Sequence, residues 1–128
     1  MFTLVLGLIA AVSLVVDEVP CIHYQQLLLG GSIRVAPFAV FGTPELADNV
    51  RRALVGKQAA ILANHGTVAW GADLTQAENN ALLLEWAAEM YWRAKAIGEP
   101  RALTEEQQQA VIEAAIATGY GTTKKVTP

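Results

Sequence analysis

Imidazoles are scarce in this chain, and one of them stands where chemistry is easily done. The two histidines among the 128 residues are His23 and His65. His65 interrupts a continuous apolar run, Ala59-Ala60-Ile61-Leu62-Ala63-Asn64-His65-Gly66-Thr67-Val68-Ala69-Trp70. Neutral imidazole is the commonest protein metal ligand, and its charge changes near physiological pH. Gly66 behind it permits a positive φ or a close backbone approach. A ring held at a strand end beside bare backbone is a place to hold a metal ion. A lone His-Gly is also an ordinary turn, so the motif needs its context. His23 reads as a packing or hydrogen-bonding residue rather than a ligand. The one cysteine, Cys21, makes no zinc-finger spacing with either histidine.

The flanking patterns supply elements that could position His65. Ala59–Leu62 and Thr67–Trp70 read as two strands around it. Ile33-Arg34-Val35 alternates as a short strand stopped by Pro37. The residues after Pro20 are strand-like, and Gly30-Gly31 marks a turn. Thr43-Pro44-Glu45 predicts a helix to about Leu54, with Thr43 as cap, Pro44 in the first turn and Gly56 as stop. A longer helix is expected from about Asp73 to Ile97. Asp73 with Gln76, or Thr75 with Glu78, would cap it. Its apolar stripe is Ala77, Ala81, Leu84, Ala88 and Tyr91, and Glu89 and Arg93 form a surface pair. Trp86 and Trp92 are read as core or subunit-contact residues. Thr104-Glu105-Glu106-Gln107 opens a last helix to about Thr118, and residues 121–128 form a polar tail.

Composition excludes several classes. Apolar residues make up 53% and charged residues 16% of the chain, which excludes intrinsic disorder. The net charge of −3 and the absence of a Lys/Arg cluster argue against nucleic acid as a partner. The size suits one domain. A single cysteine makes no internal disulfide and fits a reducing, cytoplasmic compartment. Phe2–Val16 is almost wholly apolar. It is shorter than the ~18–20 residues of a membrane span and lacks the leading Lys or Arg of a signal peptide. It is read as a buried core segment, with no membrane partner.

From Val19 onward the chain resembles the class II aldolase/adducin family. The matching stretches are Val19-Pro20-Cys21-Ile22-His23-Tyr24, Gly30-Gly31-Ser32-Ile33-Arg34-Val35-Ala36-Pro37-Phe38, Phe41-Gly42-Thr43-Pro44-Glu45-Leu46 and Leu62-Ala63-Asn64-His65-Gly66. The Ala77 to Tyr91 helix with Glu85 fits as well. The resemblance implies an α/β fold, an α/β/α arrangement with a mostly antiparallel central sheet covered by helices. It implies a divalent metal, usually zinc, and a homotetramer with active sites between subunits. It places His65 among three metal-binding histidines. Tyr24 corresponds to a proton donor, Tyr120 to a tyrosine that closes over the site from a neighbouring subunit, and Phe41 to an aromatic near the aldehyde end. The implied reaction is retro-aldol cleavage of a ketose 1-phosphate, such as fuculose 1-phosphate, to dihydroxyacetone phosphate and an aldehyde. A metal chelated by the substrate carbonyl and hydroxyl stabilises the enediolate left by such a cleavage.

The departures are as informative. The family's other two metal histidines form a His-x-His pair that falls near Thr3 to Val5, where this chain has none. The family's catalytic glutamate and phosphate loops lie further upstream. The chain is therefore expected to match the C-terminal half to two-thirds of such a domain, truncated at its N-terminus. With one ligand it is expected to have little aldolase activity by itself, and to expose a sheet edge and an apolar patch that favour self-association. The alternatives are a family epimerase or dehydratase, or a noncatalytic oligomerisation module of the adducin-head kind.

Overall fold

The computed structural model describes the backbone of residues 2–4 and the whole of residues 7–119. Its strands are β1 (Phe2–Leu4), β2 (Glu18–Val19), β3 (Ile33–Ala36), β4 (Ala59–Leu62) and β5 (Gly66–Ala69). The helices are α1 (Gly7–Ser13), α2 (Pro44–Ala53), α3 (Leu74–Ile97) and α4 (Glu105–Thr118), and a 3₁₀ helix spans Tyr24–Leu29. The strands form one sheet in the order β1-β5-β4-β3-β2. Only the β3–β4 pair is parallel, with Val35 beside Ile61. The β1–β5, β4–β5 and β2–β3 pairs are antiparallel. The expected mostly antiparallel sheet covered by helices is what forms.

β4 lies third of five, and all four of its residues are buried. Successive side chains of a strand point to opposite faces. Ala59 and Ile61 accordingly join one core with Ile9 of α1, Leu29, Ile33 and Leu84 of α3. Ala60 and Leu62 join a second core with Ala36, Val68 and Ala53, against which Leu46, Val50 and Leu54 pack from the α2 side. The apolar run around His65 is thus continuous because both faces of its hairpin are covered. Burying each large side chain, such as Ile61 or Leu84, contributes roughly 1.5–3 kcal/mol.

The helix boundaries follow their caps. Thr43 accepts from the Leu46 amide, and Pro44 occupies the first position of α2. Asp73 accepts from the Gln76 amide at the start of α3. Thr104 and Gln107 make a reciprocal capping box at α4. The α3 stripe is buried at Ala77, Ala81, Leu84 and Ala88 as its spacing predicts, and Arg93 pairs with Glu89 at 2.6 Å.

Two expectations change and a third is refined. The strand-like residues after Pro20 turn into the 3₁₀ helix, because His23 caps it through Nδ1 and Gly30, at φ 98°, ends it. The apolar segment does supply core residues, Ile9 and Val12, but through a short helix held at its start by Glu85, whose Oε2 accepts from the Ile9 amide at 3.2 Å. Trp86 and Trp92 are exposed in the single chain, so of the two readings, core or subunit contact, the core one is excluded. Among the described residues, no helix is long and apolar enough to cross a membrane. Tyr120 and the tail fall outside them.

Candidate functional site

The turn that carries His65 is fixed from three sides. Its strands are buried on both faces. The His65 amide donates to the Leu62 carbonyl (3.1 Å), and the Ala63 amide donates to the Ala36 carbonyl (3.0 Å), tying the turn to β3. Asn64 takes φ 59°, the left-handed region that asparagine tolerates better than most residues. The imidazole is exposed at the rim of the sheet.

The facing wall is the loop between β3 and α2. Thr43 anchors it, donating through Oγ1 to the Val40 carbonyl at 2.6 Å. Asn49, buried on α2, donates from Nδ2 to the Pro37 carbonyl at 3.1 Å. Between the loop and the turn lies a cleft of about 300 Å³. Phe38, Val40, Phe41 and Leu46 line one side, and Ala63, Asn64 and His65 the other. Phe41 is 80% exposed, so its ring is an open wall rather than core. The structure therefore brings together two of the residues singled out from sequence, His65 and Phe41, in a mainly apolar cleft with one imidazole at its edge.

Tyr24 is not part of that lining. It is the first residue of the 3₁₀ helix and largely exposed. Its support is nevertheless specific. Gln26, fully buried, accepts from the Ile22 amide (2.9 Å) and donates to the Pro20 carbonyl (2.9 Å). His23 accepts the Gln25 amide on Nδ1 (3.1 Å) and sets its ring edge-on to Trp86 at 4.9 Å. With Nδ1 accepting, His23 caps the 3₁₀ helix through that nitrogen.

Beneath this loop sits a second polar group. Lys57 is nearly buried, and its ammonium donates to the Gly30 carbonyl (2.6 Å) and the Ser32 hydroxyl (3.3 Å). Burial pushes its pKa down, and Arg34 adds to the effect. Burial likewise pushes the Cys21 thiol up, partly offset by a hydrogen bond with the His23 backbone and by nearby Lys57. Gln26, Asn49 and Lys57 escaped the sequence reading, because nothing in the spacing of a single Gln, Asn or Lys marks it as buried. The apolar Phe38-Ala39-Val40-Phe41 run after Pro37, placed where a loop should be polar, was a usable signal for the cleft.

His65 is the one candidate ligand on the cleft. Among the described residues, no three His, Cys, Asp or Glu side chains converge. A catalytic divalent centre takes about three protein ligands, so these residues alone do not fit one.

The model of the Class II Aldolase and Adducin N-terminal domain matches residues 8–92. The chain belongs to this family. It is 38% identical over 96 residues to a 5-methylthioribulose-1-phosphate/5-deoxyribulose-1-phosphate aldolase of Rhodospirillum rubrum, covering 74% of this chain and 43% of that protein. It is 37% identical over 103 residues to the L-fuculose phosphate aldolase of Escherichia coli K12, covering 80% and 48%. A solved L-fuculose 1-phosphate aldolase superposes with a TM-score of 0.82 at 33% identity, covering 88% of this chain and 53% of that one. The chain spans about half the length of the curated relatives it matches. The family resemblance drawn from the motifs, and the fold it implies, both hold.

Proposed function

We propose that this chain carries the aldehyde side of a class II aldolase site that acts on a ketose 1-phosphate. The observation that supports this most is the placement of His65 and Phe41 on one cleft. The same placement follows from the family resemblance, and aldolase relatives match most of this chain at 35–38% identity. Class II aldolases are metal-dependent in general, and zinc is the ion we assign to the complete site. There zinc would supply Lewis-acid chemistry, with His65 the one candidate ligand this chain's cleft would contribute.

This chain's own residues do narrower things. The Phe38, Val40, Phe41 and Leu46 wall removes water from an apolar end of the substrate. That wall suits a terminal methyl, as in the deoxy sugar phosphates that name the relatives. The buried hairpin holds the His65 ring at the rim. Tyr24, outside the cleft, serves as proton donor only in a site assembled between copies, and Tyr120 has the same intersubunit role. With one candidate ligand, turnover by this chain alone is little or none. A noncatalytic module of adducin-head type is the second reading, favoured by the isolation of His65 from other ligating side chains among the described residues.

Zinc titration followed by NMR of the His65 imidazole, with and without fuculose 1-phosphate, tests the first reading. A zinc-dependent shift of His65, together with sugar-phosphate shifts at Phe41, supports it. A His65 ring indifferent to zinc, with no response at Phe41, overturns it in favour of the module. Robust retro-aldol turnover by the purified chain with zinc would overturn the expectation of low activity.

A further inference from the structure

Lys57 is a nearly buried charge without a counter-charge. It is 9% exposed, and burying an ammonium is costly unless it is paired and hydrogen-bonded. An ammonium has three N–H donors. One of those on Lys57 reaches the Gly30 carbonyl (2.6 Å) and one the Ser32 hydroxyl (3.3 Å), both neutral. The third has no partner among the described residues. Among the same residues no carboxylate forms an ion pair with Lys57 or with Arg34. Arg34 lies close enough to repel the ammonium, and repels it more than Glu18 attracts it. Arg34 uses Nη1 on three carbonyls at the end of α2, and its Nε and Nη2 have no partner among the described residues.

These groups meet through the strand pairing that also builds the cleft. β3 and β4 run parallel, so the loops that follow them share one edge of the sheet and the segments that precede them share the other. Gly30, Gly31 and Ser32 lead into β3, and Lys57 leads into β4. Gly30 permits the close approach of the two segments: a Cβ there would lie 2.5 Å from the Gly56 carbonyl. A Cβ on Gly31 would stand 3.9 Å from the Lys57 Nζ, with the Gln108 amide oxygen of α4 beyond it at 2.9 Å. Ser32 and Arg34 are half-buried, so the cluster reaches solvent through them.

We propose that Lys57, Ser32 and Arg34 form an anion site for a phosphate group, at the sheet edge opposite the His65 cleft. A phosphate group carries about −1.5 to −2 charge near pH 7, which answers two cations rather than one. The donors left over are of the kind its oxygens take: an ammonium N–H, a hydroxyl, and guanidinium nitrogens that bind phosphate oxygens in pairs. A carboxylate, with a single charge, would leave one of the two cations unanswered. Glu18, opposite Arg34 in the β2–β3 pair, is the carboxylate that acts on Lys57 and holds the affinity down. Inorganic phosphate and the phosphate end of a small monoester present the same oxygens to these donors. None of the three residues lines the cleft, so the site stands independently of the aldolase reading.

Titration of the isotope-labelled chain with inorganic phosphate, followed by NMR at an ionic strength held constant with sodium chloride, tests the site. The expected result is saturable shifts of the Gly31 and Ser32 amides and of the Lys57 Nζ, half-complete at about 1–10 mM, with the amides of Ala63, Asn64 and His65 unmoved. Ser32→Ala should weaken binding about tenfold, and Lys57→Met should abolish it while the circular dichroism stays unchanged. The same titration with glycerol 3-phosphate separates the two sources. Saturation by both compounds assigns the site to phosphate monoesters as well, and saturation by inorganic phosphate alone assigns it to the free ion. Shifts that grow without saturating overturn the proposal. So does saturation that survives both substitutions, or a response confined to the His65 turn. Should Lys57→Met not fold, the Ser32→Ala comparison decides, because it removes only a half-buried hydroxyl.

Discussion

Gln26→Met should cost this fold more than any surface change of similar size. Gln26 has no exposed surface, and its amide closes the loop from Pro20 to the 3₁₀ helix with two hydrogen bonds of 2.9 Å. Methionine nearly matches its volume and bends to fill irregular space, so no sizeable cavity opens. What is lost is satisfaction of two main-chain groups, the Ile22 N–H and the Pro20 carbonyl. Leaving a buried donor or acceptor without a partner costs about 1–3 kcal/mol each, so the pair amounts to about 2–6 kcal/mol. With an m-value of about 2 kcal/mol per molar urea for a small domain, the midpoint of unfolding should fall by about 1–3 M. Gln25→Met, one residue away and exposed, should change stability by less than ~0.5 kcal/mol. Equilibrium urea unfolding followed by tryptophan fluorescence measures both, with Trp86 reporting on the adjoining His23 ring. A midpoint for Gln26→Met within 0.2 M of the unsubstituted chain, or a change equal to that of Gln25→Met, would refute the claim that this one amide holds the loop bearing Tyr24.

Other consequences are as direct. Lys57 has a folded pKa below its ordinary value of 10.5, so the unfolded chain binds that proton more tightly and stability gained from Lys57 rises as pH climbs toward 10.5. Cys21 works oppositely: its folded pKa lies above 9.0, so the unfolded chain loses that proton first and stability falls above about pH 9. The urea-midpoint difference between the unsubstituted chain and Lys57→Met should therefore grow in favour of lysine from pH 8 to pH 10, and a constant difference contradicts the assignment. Thr104→Ala removes the α4 capping box, a loss of about 1 kcal/mol. Because no residue of α4 is fully buried, the expected readout is faster amide exchange within α4, with the global unfolding midpoint unchanged; a lowered midpoint shows α4 coupled to the core. Asn64→Gly should be close to neutral and Asn64→Val should cost about 1–2 kcal/mol, because only the second resists φ 59°. Equal midpoints for the two would argue that the His65 turn relaxes to another conformation.

The parts of the fold that were legible from sequence are those whose signals are local. Thr43-Pro44, Asp73 and Thr104 each satisfy amides within their own first turn, and α2, α3 and α4 begin where these residues say. The apolar run around His65 became β4 and β5 at almost the expected positions. The segment from Pro20 to Gly30 resisted because its conformation is decided by Gln26 and His23, two side chains whose bonds to the main chain carry no periodicity. α1 resisted for a related reason. Seven residues are too short for a helical stripe, and its start is held by Glu85, 76 residues away in the chain. Trp86 and Trp92 were read as core or subunit contacts from their size, yet position on a helix face, not size, decided their exposure in the single chain.

The site divides along the same line. His65 and Phe41 belong to loops at the same rim of the sheet, and the parallel β3–β4 pairing brings them together. β3 leads into the Phe41 loop and β4 into the His65 turn, so parallel neighbours deliver both loops to one edge. Tyr24 precedes β3 and joins the 3₁₀ helix, which packs with α3 and α4, so sequence proximity to Phe41 gives it no share of the cleft. On the proposed aldolase reading, the phenol of Tyr24 would reach the His65 cleft from another copy. That requirement ties the aldolase reading to assembly. If dilution to the monomer leaves the His65 response to zinc unchanged but abolishes any turnover that a completed enzyme shows, the catalytic groups are shared between chains. If turnover survives in the monomer, Tyr24 has no part in it.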